Sequence, residues 1–390
     1  MYKMKKFFTV SLAVAGALLL VSGSAFAFHG GGVAHCDGCH SMHSGAGSGP
    51  SLQKGSDNSS TCLNCHNGAA RYHVNSADGS NTNEGGDFHW VNDNGYNYDS
   101  RPGPEVVPAP VDYNNFGHNV IAADFSMEAD TELTVAPGGS FLAADLGCSS
   151  CHDPHGQAQG GTIGGAAPIS VSGSYGEVPP EGTIAGNYRL LYDSNKNGFS
   201  EDAPIARANS YDGAYVQYGS GMSGWCANCH GQFYSQSASG GMHPTDVSVP
   251  GVYNSYVATG NYSGDIATAY DPLVPIERGV TTGSWDLPDP TDAATAGVGA
   301  DGSSQVMCLS CHRAHASPFE NALRWEYNHS EFIAEGWMMF DGSNVDLTVA
   351  APYYKGGNII DVADPGTGNP FTDGYGEYQR SLCNKCHVQD

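Results

Sequence analysis

Twelve cysteines and six of the sixteen histidines fall into one arrangement, C-x-x-C-H, repeated six times along 390 residues. The copies are Cys36-Asp-Gly-Cys39-His40, Cys62-Leu-Asn-Cys65-His66, Cys148-Ser-Ser-Cys151-His152, Cys226-Ala-Asn-Cys229-His230, Cys308-Leu-Ser-Cys311-His312 and Cys383-Asn-Lys-Cys386-His387. Two thiols three residues apart can bond to the two vinyl groups on one edge of a porphyrin. The His that follows is then held over the metal as an axial ligand. A random ordering of this composition would hold roughly 0.015 such motifs, so six cannot come from composition. Zinc knuckles would join C-x-x-C pairs at shorter, regular spacing and need no His after each. Disulfides would leave six His unexplained. The pattern therefore predicts six covalently bound haem c groups, with the twelve Cys as thioether donors and His40, His66, His152, His230, His312 and His387 as proximal iron ligands.

Ten further His are available for the opposite face of each iron: His29, His35, His43, His73, His89, His118, His155, His243, His315 and His329. Supply exceeds demand, so every iron can be bis-His. That ligand pair gives lower potentials than Met/His. The distal candidates are His29, His43, His73, His118, His155, His243 and His315. His73 and His243 follow their own motifs by enough chain to reach round a porphyrin at about 3.3 Å per residue. His35, His89 and His329 read as loop residues.

The motifs alternate. The first, third and fifth continue to a second His three residues on, at His43, His155 and His315; the second, fourth and sixth do not. Three residues span only about 10 Å when extended, too little to pass round a porphyrin edge. These three His are expected to bind a haem other than the one their own motif carries. The repeat predicts a single unit over 28–390 built from three two-haem modules, approximately 28–120, 121–260 and 261–390.

The elements that must position these ligands are sparse. Gly makes up 53 residues, and no sustained 3.6-residue apolar period or long strand alternation is present. Aromatic residues at 10% argue against a disordered chain. A mature chain of 363 residues leaves about 60 per haem, too few for a separate globular domain around each. The porphyrins must therefore supply much of the apolar core. The expected fold is a multihaem c-type cytochrome, mostly irregular coil with short helices and little strand, wrapped around a closely stacked haem chain.

Residues 1–27 read as a secretory signal peptide: Lys3, Lys5 and Lys6, an apolar run from Phe7 to Val21, then Ala25-Phe26-Ala27 as a cleavage site. The expectation is export, to the cell surface or beyond, with the periplasm as the alternative. With the three lysines removed, twelve basic residues face forty acidic ones, a net charge of −28. Nucleic acid is a poor partner for such a surface, while cationic proteins and metal oxides are better ones.

The chain resembles the filament-forming hexahaem outer-surface c-type cytochromes of Geobacter and its relatives. The resemblance is carried by Phe28-His29 with Gly31-Gly32-Val33-Ala34, by Cys36-Asp-Gly-Cys39-His40-Ser-Met-His43, and by Cys148-Ser-Ser-Cys151-His152-Asp-Pro-His155-Gly156. It continues in Gly221-Met-Ser-Gly-Trp225-Cys226-Ala-Asn-Cys229-His230, Cys308-Leu-Ser-Cys311-His312-Arg-Ala-His315-Ala-Ser317 and Leu382-Cys-Asn-Lys-Cys386-His387. It implies bis-His, low-spin haems in a continuous stack of alternating parallel and T-shaped pairs. It also implies that His43 ligates a haem, the fifth, of a neighbouring identical protomer. His29, His73, His118, His155, His243 and His315 fall in matching segments; residues 190–215 and 280–302 depart from the pattern.

Three functions fit these features. The first is an extracellular conduit that passes electrons haem to haem and protomer to protomer, from periplasmic or outer-membrane cytochromes to metal oxides or partner cells. The second is a monomeric periplasmic shuttle. The third, a multihaem reductase, needs an open iron site, which six complete motifs and surplus His disfavour. On the first two readings the chain is not an enzyme. Separately, Asp193, Asn195, Asn197 and Glu201 follow the first part of a calcium loop, but Pro204 stands where such a loop requires Glu.

Overall fold

The computed structural model describes residues 36–41, 52–67, 73–76, 85–92, 98–99, 113–154, 191–192, 199–201, 203–208, 216–237, 244–255, 266–271, 274–279, 287–288, 292, 294–317, 320–324, 339–340 and 386. Their α-helices are Cys36–Cys39, Asn58–His66, His89–Asn92, Cys148–Cys151, Met222–Ser237 and Cys308–Cys311. Five of the six thus carry a C-x-x-C pair. Among the described residues strand is confined to two antiparallel pairs: Tyr98–Asp99 against Met339–Phe340, and Ala206–Ala208 against Val216–Tyr218. The rest is short 3-10 turns, isolated bridges and coil, as the composition implies. Among the described residues no helix is long and apolar enough to cross a membrane.

Two small apolar clusters sit beside the motifs. Leu63, Phe88, Val120, Ala122 and Met127 pack around the second motif. Leu191, Ala203, Ala206, Val216, Tyr218, Met222 and Met307 pack where the third, fourth and fifth meet, with Cys151, Trp225, Cys226 and Leu309 against them. Both are small clusters, of five to seven buried residues each among the described residues.

Single hydrogen bonds, not long ladders, join distant segments. Glu277 bridges both Tyr218 and Gln305, and Gln305 bridges Ser248. Four stretches of chain are thereby gathered at the start of the Met222–Ser237 helix.

Candidate haem centres

The odd motifs share one backbone clip. In each, a four-residue helix ends at the second Cys and the proximal His turns extended, with φ/ψ of −105°/137° at His152 and −113°/158° at His312. Each His then forms an antiparallel bridge with a downstream residue: His40 with Gln53, His152 with Leu191, His312 with Leu323. The residue after each bridge partner donates its N–H to the carbonyl of the motif's second Cys: Lys54 to Cys39, Tyr192 to Cys151, Arg324 to Cys311, at 2.9, 3.0 and 2.8 Å.

The described even motifs end or interrupt longer helices. Asn58–His66 starts at Asp57, whose carboxylate accepts from Ser60 N–H at 2.7 Å, and the second motif closes it. In Met222–Ser237 the helix breaks at His230 itself, with φ/ψ of −114°/40°. Glu277 caps this helix from outside, accepting from Gly221 and Met222 N–H at 3.2 and 3.1 Å.

Each of these even motifs is joined to the next odd one by the same bond. Ser59, three residues before Cys62, accepts from Cys148 N–H at 3.0 Å; Ser223, three before Cys226, accepts from Cys308 N–H at 3.2 Å. Both odd helices carry a second Ser inside the motif, at Ser150 and Ser310, that accepts from the N–H just before it. The first thiols of the two partners also touch. Hydrogen bonding between Cys62 and Cys148 pushes the Cys62 thiol up, with burial adding to it, and pushes the Cys148 thiol down against its burial. Cys226 and Cys308 repeat this. Each such contact places the attachment edges of two porphyrin sites side by side.

The His rings show whether iron fits. Two imidazoles on one iron, each bonded at about 2.0 Å through Nε2, stand with ring centres about 6 Å apart. His118 and His230 have ring centroids 6.0 Å apart, and His152 and His315 are 6.2 Å apart. The other ring nitrogen is committed in four of the described His: Nδ1 faces a backbone carbonyl, Ala314 for His118 (2.7 Å), Pro137 for His230 (2.8 Å), Asn321 for His312 (2.8 Å) and Gly86 for His315 (3.4 Å). A carbonyl can only accept, so the proton sits on Nδ1 and Nε2 keeps the lone pair a metal needs. Burial and His152 beside it push His315 down to about 3; burial and His230 lower His118. Both rings stay neutral at pH 7, as ligands must.

Two backbone approaches make this possible. His118 N–H donates to His315 O, and His315 N–H to Gly85 O, so these two rings leave one small ladder toward different partners. Gly86 stands at φ +84°, and a Cβ there would meet Ala316 O at 1.8 Å. A Cβ on Gly139 would meet Cys229 O at 1.7 Å. Its absence lets the Pro137 loop lie close enough to hold His230.

No protein-family profile matches the sequence. Among curated proteins it is similar to the c-type cytochrome OmcS of Geobacter sulfurreducens, 37% identical over 448 aligned positions, covering 99% of this chain and 100% of that one. The chain belongs to the OmcS family of c-type cytochromes. As a member it carries covalently bound haem c and transfers electrons. Its fold matches two solved OmcS structures. One, an outer membrane cytochrome S filament from Geobacter sulfurreducens, has a TM-score of 0.64 at 33% identity; the other, OmcS nanowires of that organism seen by cryo-EM, has 0.61 at 31%. Each match covers 93% of this chain and 100% of the other.

Within this OmcS-family chain the remaining expected residues sort by position. Val74 N–H donates to His66 O at 3.0 Å, which returns the segment beginning at His73 to the second motif. His89, one of the His read as a loop residue, is buried and stands edge-on to Trp90 at 5.0 Å. His29, His35, His43, His155, His243, His329, His387, Cys383, Asp193, Asn195 and Asn197 lie outside the described residues. So do the side chain of Cys36 and, apart from Cys386, the sixth motif. Glu201 is exposed and tied to the fourth-motif helix through Asn228. Among the described residues no group of three His, Cys, Asp or Glu is placed to hold a metal ion. Sequence reasoning missed the Nδ1 carbonyls, which no residue type encodes. It also missed Ser59 and Ser223, whose shared S-x-x-C spacing could have been noticed.

Proposed function

We propose that the chain carries six haem c groups, all bis-His, and conducts electrons along them within an extracellular filament of identical protomers. The observation that supports this reading is the pair of imidazole spacings near 6 Å, each of which would suit a bis-His iron with no open position. His230 and His118 would hold the fourth haem, and His152 and His315 the third. His315 thus serves a haem other than its own motif's. The thiol contacts support close pairing of the second with the third and the fourth with the fifth. The shared ladder of His118 and His315 supports a junction between the third and fourth.

Bound haem iron supplies one-electron exchange. The protein's part is to fix the rings. Nδ1 donation to carbonyls raises imidazole basicity and orients each ring. Electrons would enter from periplasmic or outer-membrane cytochromes and leave to metal oxides, other extracellular acceptors or partner cells. No substrate chemistry at iron is required, so the chain is not an enzyme on this reading. OmcS is described as a filament and a nanowire; carried to this chain, that favours a polymer over a monomeric shuttle.

His43 is proposed to ligate the fifth haem of the adjoining protomer. The test is negative-stain microscopy of the native secreted fraction, for the wild type and His43→Ala. Filaments in the wild type and isolated particles in the variant are expected. Isolated particles in both would sink the polymer, and normal low-spin filaments in the variant would sink the His43 bond.

A further inference from the structure

The imidazole of His315 sits in a slot. Phe88 stacks on one face, with ring centroids 4.7 Å apart and 27° between the planes. Gly85 closes the edge: a Cβ there would stand 2.8 Å from Nδ1 and 2.9 Å from Cε1. Gly86 O lies 3.4 Å from Nδ1, a long contact that orients the ring only weakly. Turning the imidazole about the axis through Nε2 would drive it against the Phe88 ring.

Phe88 is itself fixed. It is 3% exposed, in the same apolar cluster as Leu63, which lies inside the second C-x-x-C. Its N–H donates to Val74 O at 2.8 Å, and its carbonyl accepts from Val91 N–H at 3.1 Å. The buried carboxylate of Asp87 accepts from Ser76 N–H at 3.0 Å and from His89 N–H at 2.9 Å, which locks the backbone beside Phe88. Phe88 therefore packs with the second motif while it stacks on a His proposed above for the third haem.

The His152 ring stands at 62° to the His315 ring, whereas His118 and His230 stand at 43°. Ligand orientation is one of the protein's levers on a metal. In a low-spin ferric iron, coincident imidazole planes act on one dπ orbital and split the pair, which stabilises the ferric state. Crossed planes act on both orbitals alike and leave them close in energy. Such an iron has a highly anisotropic paramagnetic signal, with one large g value, and a higher reduction potential.

We infer that Phe88 is a positioning residue for the third haem: it holds the His315 plane crossed against His152 and so raises the potential of that iron. The inference rests on the bis-His reading of His152 and His315, which His315→Ala tests separately.

The test is electron paramagnetic resonance and spectroelectrochemical titration of the full exported protein, once its haems have been counted. The wild type should show a large-g low-spin component. Phe88→Leu frees the ring, so one haem's share of that component should move to smaller g. The potential of that haem should fall by about threefold in its reduction equilibrium, roughly 28 mV for one electron. Phe88→Tyr keeps the stack and should keep both properties. Gly85→Ala presses on the ring from its edge and should shift the same component with Phe88 in place. His315→Ala should remove that share and leave one high-spin haem; a low-spin spectrum left whole would overturn the haem assignment and the inference with it. With the assignment intact, a Phe88→Leu spectrum matching the wild type with all haems present would overturn the inference alone. So would a wild type without the large-g component, or equal changes in Phe88→Leu and Phe88→Tyr, which would make Phe88 a packing residue. Should Phe88→Leu lose the haem, Gly85→Ala reads the same plane, and an unchanged spectrum there would also overturn the inference.

Discussion

At the scale of single residues, the His proposed as axial ligands are distinguished by what holds their far nitrogen. His118 meets Ala314 O with Nδ1 and faces His230 with its ring. His118→Ala should therefore leave the fourth iron with one protein ligand. One haem in six is expected to turn high-spin by electron paramagnetic resonance, the others staying low-spin; a fully low-spin spectrum would remove His118 from the ligand set. Glu277 offers a pH signature. It is 1% exposed, and burial, then the Asp246 charge, raises it to about 8 against 4.5 for an ordinary Glu. The folded chain then binds a proton that the unfolded chain releases between about pH 4.5 and 8, so stability falls as pH rises through that window. The loss is on the order of 5 kcal/mol at most. Glu277→Gln should flatten that slope in urea unfolding followed from about pH 5 to 9; an unchanged slope would assign it to other groups.

At the scale of elements, the described odd and even motifs differ in backbone. Odd motifs are short helices clipped by a bridge, and the described even ones sit at the end or break of longer helices. The spacing of Cys and His made the attachment sites legible because that chemistry is local. The His rings that lie near one another were not legible as pairs. His118 and His230, like His152 and His315, lie more than a hundred residues apart. They meet through a small ladder that residues 85–86, 117–118 and 315–316 build without a strand-like pattern. Ser59 and Ser223 make the joint between neighbouring motifs. Ser59→Ala and Ser223→Ala should each cost about 1 kcal/mol, and the double variant about the sum, since the two joints share no partner. Thermal unfolding of the exported proteins measures this, and no change in either single variant would show the caps to be incidental.

At the scale of the whole molecule, the contacts tie the expected modules to one another. The Cys62–Cys148 and Cys226–Cys308 contacts cross both approximate boundaries, near 120 and 260, and so do the His118–His230 and His152–His315 pairs. Sparse strand and small apolar clusters were foreseeable from Gly content and residues per haem, because both follow from composition. The proposal of assembly rests on the leftover His43 and on what the relatives form, because nothing in composition encodes a partner. A chain with a net charge of −25 repels its own copies, so a filament would need a specific bond at each junction.

The most direct test of the central claim is a cryo-EM map of the secreted protein at a resolution that shows axial ligands. The expected map is a filament with six haems per protomer in one unbroken stack, His118 opposite His230 and His315 opposite His152. A map of isolated protomers, or of irons with an open face or other ligands at those two sites, would contradict it.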